Sequence, residues 1–253
     1  MGLKREEVFV IRKIDFKESD HIVRLFGRKS GKFSGIAKGA RKLESKFGST
    51  FNLLNRSEVV YYQGSSLNFI SEGEVLDGWE SLKKSGEAID VGLRCAKSIG
   101  ELLGEEQPSP QVYGLFRDTL EELDADQRRP RLLEVGFYLK ALKYLGFDPD
   151  LEDRCLSCGV AIDQESTLQF SPVAGGFLCE KCRGGNDMEL SRGDRKSLAR
   201  LKKLPQSRLR RLRVPERKLT RYYDLLNRFS EYHLERELVP RSLRTVPSDR
   251  GPG

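Results

Sequence analysis

The sequence predicts an α+β protein of several parts. A five-stranded barrel of the OB type comes first, followed by an α-helical domain that carries an inserted, cysteine-bound knob. Three observations predict this. Apolar residues alternate with period two over roughly the first third of the chain, between glycine punctuation; beyond it they recur every three to four residues; and four cysteines fall into two C-x-x-C pairs between helical stretches. At 253 residues there is room for one large domain or two to three small ones.

The strands come first. VFVIRKIDF (8–16) alternates between faces, and HIVRLFGR (21–28) follows the polar KESD. The turn KSGK (29–32) leads into FSGIAKGA (33–40), where Gly35 and Gly39 predict a bulge or sharp coil. SEVVYY (57–62) turns at QGSS into LNFISEGEVL (67–76). Five short strands in this spacing suit a small barrel over 1–80, and an SH3-like barrel gives a similar pattern.

The helical period begins with EAIDVGLRCAKSIGELLG (87–104), which places Ile89, Leu93, Ala96, Ile99 and Leu103 on one face. QVYGLFRDTLEEL (111–123) and RLLEVGFYLKALKYLGF (131–147) follow, the latter with Leu132, Val135, Leu139 and Leu142 in helical register and Gly146 as its stop. Two further helices are predicted at 191–204 and 216–239, the last closed by Pro240. The helical domain therefore covers 81–154 and 186–245, the insertion 155–185, and a disordered tail 246–253.

Cys155, Cys158, Cys179 and Cys182 follow C-x2-C-x20-C-x2-C. Two such knuckles can present four thiolates to one tetrahedral Zn²⁺, which leaves no open position for water or substrate. The expectation is a structural zinc site that supplies folding energy to a loop-rich module without a core of its own. Four thiolates can also hold iron, and spacing does not separate the two. A thioredoxin-like redox centre needs a single C-x-x-C at a helix start, a context missing here. Cys95 falls on the apolar side of a helix and reads as core.

No nucleophile, general-base or phosphate-loop pattern appears. His21 and His233 stand without a ligand or triad pattern, KSGKFSG lacks the P-loop spacing, and the carboxylates of ELDAD (122–126) read as a solvated helix end. The expectation is a binding protein and not an enzyme. The charge points to the ligand. The chain carries a formal +7, and residues 1–56 hold 14 basic against 6 acidic side chains. AKGARKLESK (37–46) sets Lys38, Arg41, Lys42 and Lys46 around Gly39 and Ala40, a grouping suited to phosphate contact. Arg24, Arg28, Lys29 and Lys32 are expected to extend this surface. One or two of Phe33, Phe47, Phe51, Tyr61 and Tyr62 are expected to stack on bases, the others to fill the barrel. No stretch approaches the ~18 apolar residues of a membrane span, and MGLKREEVFVIRK has no secretory h-region, so a cytoplasmic location is expected.

This order of parts resembles the RecO family along nearly the whole chain. The resemblance is carried by VFVIRKIDFKESDHIVRLFGRKSGKFSGIAKGARKLESK, by GFDPDLEDRCLSCG followed by GGFLCEKC, and by LLNRFSEYHLERELVPRSL. One departure is Gly27, where many members carry Thr. The resemblance implies a nucleoid-associated recombination mediator that binds single- and double-stranded DNA and anneals complementary strands. It also implies that the protein works with RecR to help RecA displace single-strand binding protein (SSB), with RecF as a further candidate partner. On that reading Lys38, Arg41, Lys42 and Lys46 contact DNA, with Arg28 and Lys32 behind them. The acidic SSB tail would need an apolar groove with a basic rim, for which Leu132, Leu139, Lys140 and Lys143 offer the pieces. The basic stretch 200–218 is a second candidate DNA surface. The competing reading is an RNA-binding assembly factor or another OB-fold nucleic-acid binder.

Overall fold

The structure is a computed structural model that describes residues 2–65, 67–164, 167–185, 187–235 and 238. The predicted tail 246–253 and the far end of the last predicted helix lie outside these residues.

Strands β1 (Leu3–Phe16), β2 (Asp20–Gly27), β3 (Gly31–Ala37), β4 (Arg56–Tyr62) and β5 (Asn68–Asp77) close into a barrel in the order β1-β2-β3-β5-β4. Closure depends on two features of the chain. β1 is long and bulged between Val10 and Arg12, so it pairs with β4 through its first half and with β2 through its second. β3 and β5 then meet in parallel at Gly35–Asn68 and Ile36–Phe69. Alternation turns Val8, Val10, Val23, Leu25, Phe33, Val59, Tyr61 and Ile70 inward. Gly35 is required there, because a Cβ would lie 2.8 Å from the Ile70 Cδ1 atom. Phe47 and Phe51, from the loop between β3 and β4, fold back into the same interior with ring centroids 5.1 Å apart.

The outward side chains of the same strands build a second core. Phe9 lies 4.8 Å from both Tyr113 and Phe116, and Phe26 lies 5.6 Å from Tyr113, centroid to centroid. Through them the barrel rests on helices α1 (Gly86–Leu102), α2 (Pro110–Ala125) and α3 (Pro130–Tyr144). Ser85 caps α1, and proline occupies the first turn of α2 and α3, where its missing N–H costs nothing. α3 is buried on nearly every side and packs against α1, α2 and the later helices. Its predicted apolar stripe (Leu132, Val135, Leu139, Leu142) is fully enclosed, and so is Glu134. Burial pushes the Glu134 carboxyl up, while the Arg94 guanidinium, bonded to it at 2.6 and 2.8 Å, opposes the shift. That bidentate bond fixes α1 against α3.

The cysteine insertion holds three short strands, β6 (Thr167–Ser171), β7 (Gly176–Leu178) and β8 (Met188–Ser191), in the order β7-β6-β8. The expectation of a module without a core is corrected here. Leu168, Phe170, Phe177 and Leu190 are buried and continuous with the helical core, and the sheet runs past residue 185 to Ser191. Ser191 then caps α4 (Arg192–Lys203) in a reciprocal capping box with Asp194. A short α5 (Gln206–Leu209) and α6 (Glu216–Leu234) complete the body. No helix among the described residues is long and apolar enough to cross a membrane.

Candidate nucleic-acid interface and metal centre

The stretch 38–46 is a run of turns beyond β3, and it is held open by its surroundings. Gly39, in the left-handed region at φ +70°, donates its N–H to Asp20 Oδ1 at 2.8 Å. Arg41 N donates to the Ser19 carbonyl at 2.9 Å, which ties the loop to the β1–β2 turn. Phe47, just past the loop, anchors it in the barrel. Between these anchors Lys38, Arg41, Lys42 and Lys46 are all exposed. The Arg41 guanidinium donates to the Lys17 carbonyl at 3.1 Å and lies 3.4 Å from Asp15. Lys38, Lys42 and Lys46 have no carboxylate partner among the described residues. Lys38 Nζ lies 5.6 Å from the centroid of the Phe69 ring, and Lys46 Nζ lies 5.3 Å from that of Phe47.

Arg28 and Lys32 do not join this group. They belong to the β2–β3 turn, at the other end of strands that run about 20 Å. Lys32 is 3 % exposed, donates to the Gly100 carbonyl at the end of α1, and lies 3.7 Å from Glu105. Arg24 is likewise held by Glu105 and by Ser34 Oγ at 2.8 Å. Arg28 is exposed but stands apart from the loop cations. The turn itself is shaped by Glu6, a buried carboxylate that accepts from the backbone N–H groups of Lys29 and Ser30. Gly27 makes room for it, since a Cβ there would sit 2.5 Å from Glu6 Oε1. This gives a physical reason for the one residue that departs from the resemblance.

Of the aromatic candidates, Phe33, Tyr61, Phe47 and Phe51 are buried, with Phe33 and Tyr61 stacked at 4.8 Å inside the barrel. Tyr62 is exposed. Phe69, which the sequence reading passed over, is exposed beside it. Its signal was present in LNFIS, where period two sets Phe69 on the face opposite Ile70.

The four cysteine sulfurs all lie within 4.8 Å of one another, with Cys158 and Cys179 at 3.7 Å. A tetrahedral site with metal–sulfur bonds of ~2.3 Å needs sulfur separations near ~3.8 Å, so the cluster fits a four-thiolate metal centre. The first knuckle closes through Gly159, whose N–H donates to the Cys155 carbonyl at 2.8 Å from φ +73°. In the second, Cys182 N and Arg183 N both donate to the Cys179 carbonyl. Burial raises the Cys155 thiol, but N–H groups of Cys158, Cys179 and Ser157 outweigh it and bring it down to about 6. The Cys179 and Cys158 thiols push Cys182 up to about 12. Backbone dipoles thus favour the thiolate at Cys155, and a bound cation would balance the charge of four thiolates.

The groove expected around Leu132 and Leu139 is absent, since both are fully enclosed in the core. A cleft of about 820 Å³ opens instead between α2, the end of α3 and α4, lined by Leu115, Leu151, Ala199, Leu204 and Pro205. Lys143 and Lys203 are exposed on its rim. Lys140 is 6 % exposed and belongs to the cleft floor, where it donates to the Leu201 carbonyl at 2.9 Å and Gln206 Oε1 at 3.2 Å. Burial pulls its ammonium down to about 7.

The family profile described as Recombination protein O N terminal matches residues 1–79, and the one described as Recombination protein O C terminal matches 91–242. A DNA repair protein RecO of Moorella thermoacetica is 30 % identical over all of this chain and 95 % of its own length. The one from Symbiobacterium thermophilum is 31 % identical over 79 % of this chain and 80 % of its own. That of Rubrobacter xylanophilus is 30 % identical over 72 % and 73 %. With the barrel, the helical body and the four-cysteine cluster in the order those matches require, the chain belongs to the RecO family of DNA repair proteins.

Proposed function

We propose that this protein is a non-enzymatic recombination mediator that binds single- and double-stranded DNA and anneals complementary strands, and that it helps to load RecA onto SSB-coated DNA together with RecR. The observation that carries the reading is the β3–β4 loop: three exposed lysines with no carboxylate partner among the described residues, beside Arg41, on a loop anchored at both ends. Such a loop neutralises phosphates without reading sequence. Annealing then needs no nucleotide, because screening the repulsion between two strands is enough. The four thiolates are proposed to hold structural Zn²⁺, and the barrel to act near the nucleoid. RecF enters as a further partner.

The acidic, apolar-ended SSB tail is assigned to the α2–α3–α4 cleft. Its carboxylates would meet Lys143 and Lys203, and its apolar end would meet Leu115 and Leu204, with Lys140 beneath. The test is fluorescence-monitored annealing of complementary strands coated with the cognate SSB, without nucleotide. Acceleration is expected. Binding to bare DNA with no effect on coated strands would leave only a generic nucleic-acid binder. Equal affinity for RNA at matched salt would favour the assembly-factor reading.

A further inference from the structure

Outside the barrel, the pairing register lines up six apolar residues. Leu3 pairs Tyr62, Tyr62 pairs Phe69, Phe69 pairs Ile36, Ile36 pairs Ile22 and Ile22 pairs Ile14. Their chain neighbours Tyr61, Ile70, Ala37 and Val23 point into the core, so period two turns the whole row outward. Soluble surfaces seldom leave such a row uncovered. Adjacent in the row stand its two aromatic members: Tyr62 is 43 % and Phe69 39 % exposed, with ring centroids 6.4 Å apart and planes inclined by only 33°.

Charge decides what this floor can hold. Lys38 Nζ stands over Phe69 and leads directly into the loop of Arg41, Lys42 and Lys46. In the other direction the same outward face of β4 and β5 carries Glu72 and Glu74, with Glu58, paired to Arg5 at 3.2 Å, opposite Glu74. A polyanion is attracted at one side of the rings and repelled at the other. We infer that Tyr62 and Phe69 form a base-stacking platform for unpaired DNA, with Lys38 taking the adjoining phosphate and the backbone leaving along the 38–46 loop. This inference rests on the DNA-binding reading above and adds to it a means of telling single strands from duplex. Unpaired bases offer their faces to an aromatic ring, whereas bases in a duplex are stacked on each other and offer none.

The test compares a labelled oligo-dT with a hairpin duplex, by fluorescence anisotropy, at several salt concentrations. The double variant Tyr62→Ala/Phe69→Ala removes two half-exposed rings, and its melting temperature and circular dichroism report whether it is folded. Two lost stacking contacts should lower oligo-dT affinity by about thirtyfold or more, with an unchanged salt slope and unchanged hairpin affinity. Arg41→Glu/Lys42→Glu should instead weaken both ligands and flatten the salt slope. A folded ring variant that binds oligo-dT like the parent, or that loses both ligands equally, overturns the platform while leaving the DNA-binding reading intact. Failure of the parent to bind either ligand overturns both. Phe69→Trp gives a second readout that does not depend on deleting side chains. Its exposed indole should be quenched by oligo-dT and not by the hairpin, and an unresponsive indole also overturns the platform.

Discussion

In the barrel, the charges proposed to meet DNA are carried on a turn-rich loop outside the apolar filling, and the loop is fastened by Phe47 and by backbone bonds. In the helical body, the groups with unusual chemistry are inside. Cys155 and Cys179 are buried in the continuous core, Glu134 and Arg94 lie between helices, and Lys140 is almost enclosed. The difference separates function from stability in one half and joins them in the other. A loop cation on the barrel can be replaced without disturbing packing. A cysteine or buried lysine of the body cannot be altered without disturbing the core around it.

The largest expected effect comes from breaking the proposed metal centre. Because its sheet shares the helical core, Cys155→Ser or Cys179→Ser should cost about 4 kcal/mol or more, a fall in Tm on the order of 10 °C. Calorimetry and metal analysis of the purified variants check this. An unchanged Tm with the metal gone would show a module independent of the body. Next in size is Phe9→Ala, which empties the contact between barrel and helices. The expected cost is about 3–5 kcal/mol, and the unfolding transition should broaden or split as the halves uncouple. Val10→Ala, one residue away but inside the barrel, should leave the transition single.

A smaller effect on stability, but a large one on binding, is expected at the loop. Arg41→Glu/Lys42→Glu should leave Tm nearly unchanged and weaken DNA binding by at least tenfold, with the salt slope reduced by about 2. Arg28→Glu, at the opposite end of the barrel, should bind almost as well as the parent. Equal losses from the two would merge the ends into one surface and undo the separation made by the strand geometry.

The reach of the sequence follows the same division. Period two, glycine spacing and the C-x-x-C pairs were enough for a closed five-stranded barrel, a helical body and a four-thiolate cluster, because each is a local pattern. The exposed status of Lys38, Arg41, Lys42 and Lys46 was legible too, since glycine and alternating small residues mark a loop. Lys32 and Lys140 were not. Their burial comes from Glu105 and Gly100 in one case, and from Leu201 and Gln206 in the other, about sixty residues or more away along the chain. Strand register, not composition, separated Tyr62 and Phe69 from the buried rings.

Lys140 offers the finest test of the comparison. Its ammonium is held near 7 in the folded chain, against about 10.4 in an unfolded one. Between those values the unfolded chain binds a proton that the folded chain has released, so stability should rise with pH from about 7 to about 10. Below 7 both forms are protonated, and the cost of burying the charge is carried in full. Lys140→Met keeps the length of the stem and removes the titration. The stability difference between parent and variant, from urea midpoints at pH 6.5, 8 and 9.5, should therefore move in favour of the parent as pH rises, by up to a few kcal/mol. Other titrating groups are common to both chains and cancel in that difference. A flat difference would mean that Lys140 keeps its proton in the cleft despite its burial. The same titration makes the cleft floor more cationic below pH 7. An acidic, apolar-ended peptide bound there should then hold more tightly at pH 6 than at pH 8 in the parent, and equally at both in Lys140→Met.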